Sequence, residues 1–312
     1  MSSALSRRMF LRKSLAAGGV LAAGNAIGLS TLLNASRTPG EPWPDLAVVT
    51  GDNAYEATVK AVETLGGIQW FVKPGARVGI LVNSRFNKPG TFVKPEITLA
   101  VVALSYDAGA KEVISLEDVD SAYWRKAAGA GEMQSLIRSI KPPGAGIACP
   151  LTGAHTLKSI EITRDYVECD VVINIAIFKD HEGTRFTGVL KNLMGATTGE
   201  TNRSWHLGSG TKGYYDDIAY LSHCIADGNL CRKPSLCIGD ATQVLLQNGP
   251  FGPGPTWDYR TVVAGTNPVS VDAMGASILG FAPADVLMIR YAAELGIGNH
   301  DLSQVRVKRE TI

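Results

Sequence analysis

The sequence predicts an α/β protein with a mostly parallel sheet flanked by helices, built as one domain or as two α/β subdomains. Short apolar runs alternate with amphipathic segments along the chain, which is the pattern of β-α-β units. The chain has 312 residues, enough for a large core, and 45% of them are hydrophobic against 19% charged. This balance is typical of globular enzymes and excludes a disordered chain.

Residues 1–36 are predicted to be an export signal and not part of the fold. The pair Arg7-Arg8 precedes an uncharged stretch at residues 15–33 that is rich in Ala, Gly and Leu. This order resembles a twin-arginine signal. The alternative is a membrane anchor, although the glycines dilute the apolarity of the stretch. We expect the twin-arginine translocase as a partner, a periplasmic or otherwise exported product, and no stable membrane insertion after cleavage. An uncleaved signal would leave the protein anchored in the membrane.

Residues 45–140 are predicted to form the first α/β segment. Apolar runs predict strands, and Asn, Asp, Pro and Gly at their usual capping positions delimit the helices. The predicted elements are a strand at 46–50, a helix from Asp52 or Asn53 to Leu65, a strand at 77–83, a helix from Pro95 to Ala108 and a strand at 112–116. Strands joined in this way are parallel, and their carboxyl ends border a ligand crevice.

Residues 150–312 are predicted to form the second segment, after a break rich in Pro and Gly at residues 141–146. Its most hydrophobic run, Val171–Phe178, predicts a central strand. The other predicted elements are strands at 157–163, 235–239, 261–264 and 305–307, and helices at 186–195, 214–225, 269–279 and 283–295.

A charged loop follows the most hydrophobic strand. Lys179 and His181 lie two residues apart, so they point the same way if the strand continues that far. Thr184 is predicted to cap the following helix, and Thr187 and Lys191 lie four residues apart on one face of it. Cationic, imidazole and hydroxyl groups at one strand end predict a site for a small anion, either a carboxylate or a phosphate. The alternative is a solvated loop in which Asp180 or Glu182 pairs with Lys179.

Three sequence motifs resemble those of the domain of unknown function 362 family. FKDHEGTRFTGVLKNLMG, at Phe178–Gly195, is similar to its K-x-H and T-G-x-L-K-N-x-x-G motifs. NGPFGPGP, at Asn248–Pro255, resembles its G-P-x-x-G turn, and Val262–Gly280 resembles its A-G-x-D-P-V-A-V-D-A segment. Asn267 and Ser270 depart from that last motif, and the ferredoxin-like cysteine segment of some members is missing. The resemblance implies an α/β architecture and supplies candidate positions for a cofactor or ligand, namely Thr187, Gly188, Asn192, Gly249 and Asp272.

His181 is the candidate general acid or base, with Lys179 and Lys191 as the other candidate catalytic residues. It is also a candidate metal ligand, with His206 as a second histidine and Asp240 as a carboxylate. Asp272 has an alternative role as a dipole partner of its own helix. The cofactor is not identified by the sequence. A metal ion is compatible with these residues, whereas the spacing of the five cysteines disfavours an iron–sulfur cluster. A disulfide is allowed after export.

Several functional classes are disfavoured. The sequence has no G-x-G-x-x-G after a strand, no Walker loop, no G-x-S-x-G and no H-E-x-x-H. The sequence has thirty basic residues against 29 acidic ones. This balance gives no net positive potential that would attract nucleic acid. Two hypotheses follow: an exported metal- or cofactor-assisted enzyme acting on a small anionic ligand, and a non-catalytic periplasmic binding protein for an anionic solute.

Overall fold

The computed structural model describes residues 43–127, 131, 133–208 and 217–312. The signal-like segment at residues 1–36 lies outside the described residues. Within them, none of the helices combines the length and apolarity needed to cross a bilayer.

The strands and helices of the described residues follow one another along the chain. The strands are β1 Leu46–Thr50, β2 Arg77–Val82, β3 Glu112–Ser115, β4 Ile140–Lys141, β5 Gly146–Pro150, β6 Ser159–Thr163, β7 Val171–Ile177, β8 Lys179–His181, β9 Arg185–Thr187, β10 Leu236–Ala241, β11 Val244–Leu245, β12 Thr256–Trp257, β13 Thr261–Gly265 and β14 Val307–Thr311. The helices are α1 Ala54–Thr64, α2 Pro95–Asp107, α3 Ser121–Trp124, α4 Gln134–Ser139, α5 Arg164–Glu168, α6 Val189–Asn192, α7 Gly199–Leu207, α8 Ile218–Gly228, α9 Pro268–Ile278 and α10 Leu287–Glu294.

Eight strands form one sheet in the order β14-β1-β13-β10-β7-β2-β3-β4. All of its neighbouring strands are parallel except β13, which runs antiparallel to both β1 and β10. The predicted fold class, a mostly parallel sheet flanked by helices, is therefore confirmed. The two predicted segments both contribute strands to this sheet, so they do not form separate sheets.

Helices and strands begin where the local chemistry favours them. The Oδ1 of Asn53 accepts hydrogen bonds from the first backbone N–H groups of α1, and Pro95 occupies the first turn of α2. β7 is buried at every position, as expected for a strand with neighbours on both sides. α1 packs against α2 and next to β1 and β13, while α9 packs on β10 and β13 and against α6 and α10.

The segment after β7 differs from the predicted helix at 186–195. β8 and β9 form a hairpin in which Lys179 pairs with Thr187, and the helix α6 begins only at Val189. Phe186 is fully buried with its ring 5.5 Å from that of Phe178, so the core holds this residue in a strand. Thr184 does not cap the helix, because its hydroxyl donates to the carbonyl of Phe186 within the hairpin.

Two other predicted helices are found with other bounds. The helix predicted at 214–225 corresponds to α8, which Asp217 caps by accepting a hydrogen bond from the backbone N–H of Tyr220, while residues 214–216 lie outside the described residues. The helix predicted at 283–295 opens with a 3-10 turn at Pro283–Asp285 and continues as α10.

Candidate functional site

A cavity of about 380 Å³ lies at the carboxyl ends of β2, β3 and β7. These strands are parallel, so the residues that follow each of them meet at the same edge of the sheet. Among the residues that line the cavity are six that the sequence singled out: Lys179, His181, Thr187, Lys191, Asn192 and His206. The structure therefore brings most of the predicted site together.

Lys179 is buried at the start of the hairpin, with 1% of its surface exposed. Its Nζ donates to the carbonyl oxygens of Thr91 at 2.8 Å and Pro250 at 3.1 Å, and lies 4.3 Å from the centroid of the Phe86 ring. Asp180, an alternative ion-pair partner, instead accepts a hydrogen bond from a backbone N–H of the loop at 248–255. Burial, together with the charge of Lys191, lowers the pKa of Lys179 well below its ordinary value.

The two histidines of the cavity are held in opposite tautomers. His181 accepts a hydrogen bond at Nδ1 from the backbone N–H of Gly183, 3.0 Å away, so its proton is on Nε2. His206 lies 2.9 Å from the carbonyl oxygen of Asn202 through Nδ1, so that nitrogen carries the proton. Burial and the nearby lysines lower the pKa of His181 well below its ordinary value, and burial lowers that of His206 to about 4. Both rings are therefore neutral at pH 7.

Lys191 extends from α6 into the cavity. Its Nζ lies 3.5 Å from the Sδ of Met194, and no carboxylate of the described residues is within ion-pair distance of it. Burial lowers the pKa of Lys191 to about 8. The hydroxyl of Thr187 lines the same cavity, and its Oγ1 is buried without a hydrogen-bond partner in the described part of the chain. The cavity thus contains a half-buried cation without a described carboxylate partner and a buried hydroxyl that its own walls leave unsatisfied.

Among the polar residues of the cavity that were not singled out in the sequence are three that follow β2 and β3. Asn83 and Ser84 follow β2, and Glu117 follows β3. The Oγ of Ser84 donates to Glu117 Oε1 at 3.1 Å, and the Oδ1 of Asn83 is buried without a described partner. The sequence did contain a signal, because Asn83 ends a predicted strand, Ser84 and Glu117 come directly after predicted strands, and the carboxyl ends of these strands border the crevice.

Comparison with known proteins gives the family. The sequence profile of the domain of unknown function DUF362 matches residues 71–277. The chain belongs to the DUF362 family. It is also 27% identical over 247 residues to a thylakoid-associated protein of Synechocystis sp., an alignment that covers 76% of this chain and 73% of that protein.

Two solved structures resemble this DUF362 chain. The lactate racemase apoprotein from Thermoanaerobacterium thermosaccharolyticum has a TM-score of 0.45 and 11% identity. A protein from Thermotoga maritima has a TM-score of 0.40 and 16% identity. Each comparison covers 74% of this chain, which spans 56% of the first structure and 60% of the second.

Asp272 and Gly188, both in the motifs shared with the family, support the cavity from outside its lining. The fully buried Asp272 carboxylate accepts hydrogen bonds from the backbone N–H groups of Val189 at 2.7 Å and Leu190 at 3.0 Å. It therefore caps α6 and not its own helix α9. Burial raises its pKa to about 7. A Cβ on Gly188 would overlap the Asp272 carboxylate and the Phe186 ring.

Asn192 lines the cavity but directs its amide towards the sheet. Its Nδ2 donates to Asn174 Oδ1 at 2.8 Å and to the carbonyls of Leu81 and Ile175, each at 3.2 Å. These bonds tie α6 to β2 and β7, and fix the position from which Lys191 extends.

Gly249 has a packing role next to the cavity. Its N–H donates to Asp180 Oδ2 at 2.8 Å and its carbonyl accepts from Glu182 N–H at 3.0 Å. A Cβ here would overlap the backbone of Asp180. The glycine therefore lets the loop reach the hairpin, where Pro250 and Phe251 line the cavity.

The three candidate metal ligands do not form a set. Asp240 does not line the cavity, because its buried carboxylate accepts hydrogen bonds from the Lys94 N–H and from the N–H and hydroxyl of Thr242. In the described ranges, no three His, Cys, Asp or Glu side chains are grouped to hold a metal ion. Cys149 and Cys231 form a disulfide, and the other three cysteines are buried.

Proposed function

We propose that this DUF362 protein is an exported enzyme that binds a small anion, a carboxylate or a phosphate, in the cavity at the carboxyl ends of β2, β3 and β7. The observation that carries the proposal is the position of Lys179 and Lys191. Both ammonium groups reach one cavity, and neither has a described carboxylate within ion-pair distance. Burying such a cation costs free energy unless an opposite charge accompanies it. A bound anion would supply that charge.

The unsatisfied polar atoms support the same proposal. Thr187 is 3% exposed, and its hydroxyl has no described partner. It can donate to an anion oxygen, as a hydroxyl next to a cation does in many oxyanion sites. Asn83 Oδ1 is an acceptor and suits a hydroxyl or N–H of the same ligand.

The two histidines support catalysis in addition to binding. At neutral pH the Nε2 of His181 carries the proton, because its Nδ1 accepts a hydrogen bond. The Nε2 of His206 carries none, because the proton is on the Nδ1 that donates to a backbone carbonyl. One cavity therefore contains a ring whose Nε2–H can donate a hydrogen bond to a bound anion and a ring whose Nε2 can accept a proton. A base and a hydrogen-bond donor in one cavity suit the abstraction of a proton from a bound ligand.

Lys191→Met tests the anion site. Met has a similar length and apolarity but no charge, so we expect the Kd for acetate and for sulfate to rise at least about tenfold, which is about 1.4 kcal/mol. Calorimetric titration at low ionic strength measures it. Lys158→Met is the matched control, because Lys158 is exposed and outside the cavity. Equal affinities in Lys191→Met and the wild type would reject the site.

His181→Ala separates an enzyme from a binding protein. Small carboxylates and phosphate esters are screened for turnover by NMR, and the affinity for each substrate found is measured as well. An enzyme loses turnover in His181→Ala while binding survives, whereas a binding protein changes in affinity alone.

Export is supported by two features of different kinds. The segment at residues 1–36 resembles a twin-arginine signal. Cys149 and Cys231 form a disulfide, and disulfides persist in oxidising compartments such as the periplasm. We therefore include the twin-arginine translocase among its partners.

A further inference from the structure

Glu117 is the acidic residue of the cavity lining. It comes two residues after β3 and shares the carboxyl edge of the sheet with Lys179, which follows β7. Its Oε1 accepts the Ser84 hydroxyl at 3.1 Å. Its Oε2 lies so close to Gly195 that a Cβ there would overlap it. The carboxyl group is therefore fixed against the cavity wall by its neighbours.

The charges around Glu117 are numerous but do not pair with it. The ionisable groups of the cavity and of the elements packed around Glu117 are Lys179, His181, Lys191, His206, Arg85, Asp118 and Tyr123. None of these cations forms an ion pair with Glu117 in the described part of the chain, although two lysines line the same cavity. Burial raises the pKa of Glu117 to about 7, so a substantial fraction is protonated at neutral pH.

We propose that Glu117 binds the anion as a neutral carboxylic acid, donating its O–H to an oxygen of the bound carboxylate or phosphate. This inference rests on the proposed anion site. An ionised Glu117 would place a second negative charge next to the ligand, and repulsion between like charges favours the protonated form. A hydrogen bond between an acid and an anion is also shorter and stronger than one between neutral groups.

The proposal determines how many protons the protein takes up when the anion binds. If Glu117 is ionised in the free protein, one proton is taken up from solvent when the anion binds, and no covalent bond changes. At pH 8, one unit above a pKa of about 7, Glu117 is about 90% ionised. Binding to the wild type should therefore take up about 0.9 proton more than binding to a variant that cannot ionise here. Lys191, with a pKa of about 8, also gains protons when an anion binds, so the difference between variants is the decisive quantity.

Calorimetry with sulfate and with acetate measures this difference. Both anions remain fully ionised between pH 6 and 8, and titrations in two buffers of different ionisation enthalpy give the number of protons taken up. Glu117→Gln keeps the shape and a hydrogen-bond donor. We expect its Kd at pH 6 to stay within about threefold of the wild-type value. At pH 8 it should take up about 0.9 fewer protons. Equal proton uptake in the two proteins would overturn the proposal.

Asp118→Asn is the matched control, because it removes an exposed carboxylate next to Glu117. Asp118 raises the pKa of Glu117, so its loss can increase the proton uptake at pH 8 only from about 0.9 towards 1. Ser84→Ala keeps Glu117 but removes the hydrogen bond that favours its ionised form. It should reduce the proton uptake at pH 8, which tests the proposal even if Glu117→Gln fails to fold. Wild-type protein that binds neither anion at any pH would refute the anion site itself. Binding without the Glu117-dependent proton would refute the role of Glu117 alone.

Discussion

Burial shifts the pKa values of several ionisable side chains of the cavity towards the neutral form. His181 and His206 have lowered pKa values, whereas Glu117 has a raised one. Burial disfavours the charged form of each group, so the direction of the shift depends on whether that form is a cation or an anion. Such groups cluster at functional sites more often than elsewhere. An incoming anion would find a pocket with proton donors and few competing negative charges.

His206 makes folding sensitive to acid. Its pKa in the folded protein is about 4, below the ordinary value of 6.5. The unfolded chain therefore binds more protons, and the free energy of unfolding falls as the pH drops from about 6.5 towards 4. Each pKa unit corresponds to about 1.4 kcal/mol, so the loss from this group approaches about 3 kcal/mol. His206→Gln removes this loss.

Urea denaturation at pH 7 and pH 4.5 measures the effect. The gap in unfolding free energy between wild type and His206→Gln should shift by about 2 kcal/mol in favour of the variant on acidification. His155→Gln, which changes an exposed histidine, should show no such shift. A constant gap for His206→Gln would contradict the burial of a neutral imidazole.

The sequence predicted six of the sixteen residues that line the cavity and missed others that matter, Glu117 among them. The sequence could predict Lys179, His181 and Lys191, because charged residues are unusual directly after the most hydrophobic strand. Glu117 lies in the stretch LEDVD, whose composition is typical of an acidic surface loop. Only the pairing of β2 with both β3 and β7 brings that loop to the same place as the lysines.

At the scale of single elements, the hairpin β8–β9 shows why local sequence patterns do not predict every strand and helix. The segment after His181 has the composition of a helix start, but the burial of Phe186 selects a strand. The following helix α6 has only four residues and no side-chain cap of its own. Its first N–H groups, which have no partner within the helix, are satisfied by Asp272, which lies more than eighty residues away in the sequence. A propensity argument cannot find a partner at that separation.

Asp272→Asn should loosen α6. The amide keeps one acceptor oxygen for Val189 or Leu190 but directs an NH₂ group at the other N–H. We expect a loss of about 1–3 kcal/mol in unfolding free energy, typical of an unsatisfied buried donor. Because α6 contains Lys191, the affinity for acetate should fall as well.

Chemical denaturation and the acetate titration test both parts. Asp301→Asn, at an exposed cap of a 3-10 turn, is the control and should change the unfolding free energy by less than about 1 kcal/mol. An Asp272→Asn variant as stable as the wild type would show that α6 does not need this carboxylate.

At the scale of the whole molecule, the class of fold was predictable and the order of strands was not. Alternating β and α patterns gave the parallel units β1 to β3 and the central β7. The reversed direction of β13 and its place between β1 and β10 depend on pairings across the whole chain. Non-local pairings of this kind have no signature in a window of ten residues.

The export proposal makes a prediction about thiols. In exported wild-type protein the bond between Cys149 and Cys231 should leave three of the five cysteines reactive after denaturation. A variant with Arg7→Lys and Arg8→Lys should be retained in the reducing cytoplasm, where all five react. Alkylation followed by mass spectrometry counts them. Five reactive thiols in the wild type, or unchanged export of the variant, would contradict the proposal.

The position of β1 sets an order of events in synthesis. β1 has neighbours on both sides, β13 and β14, which come from residues 261–265 and 307–311. A ribosome therefore releases residues 46–50 long before either of their neighbours exists, and this edge of the sheet closes only after residues 307–311 have been made. Chaperones that shield this early segment would have the longest interval in which to act.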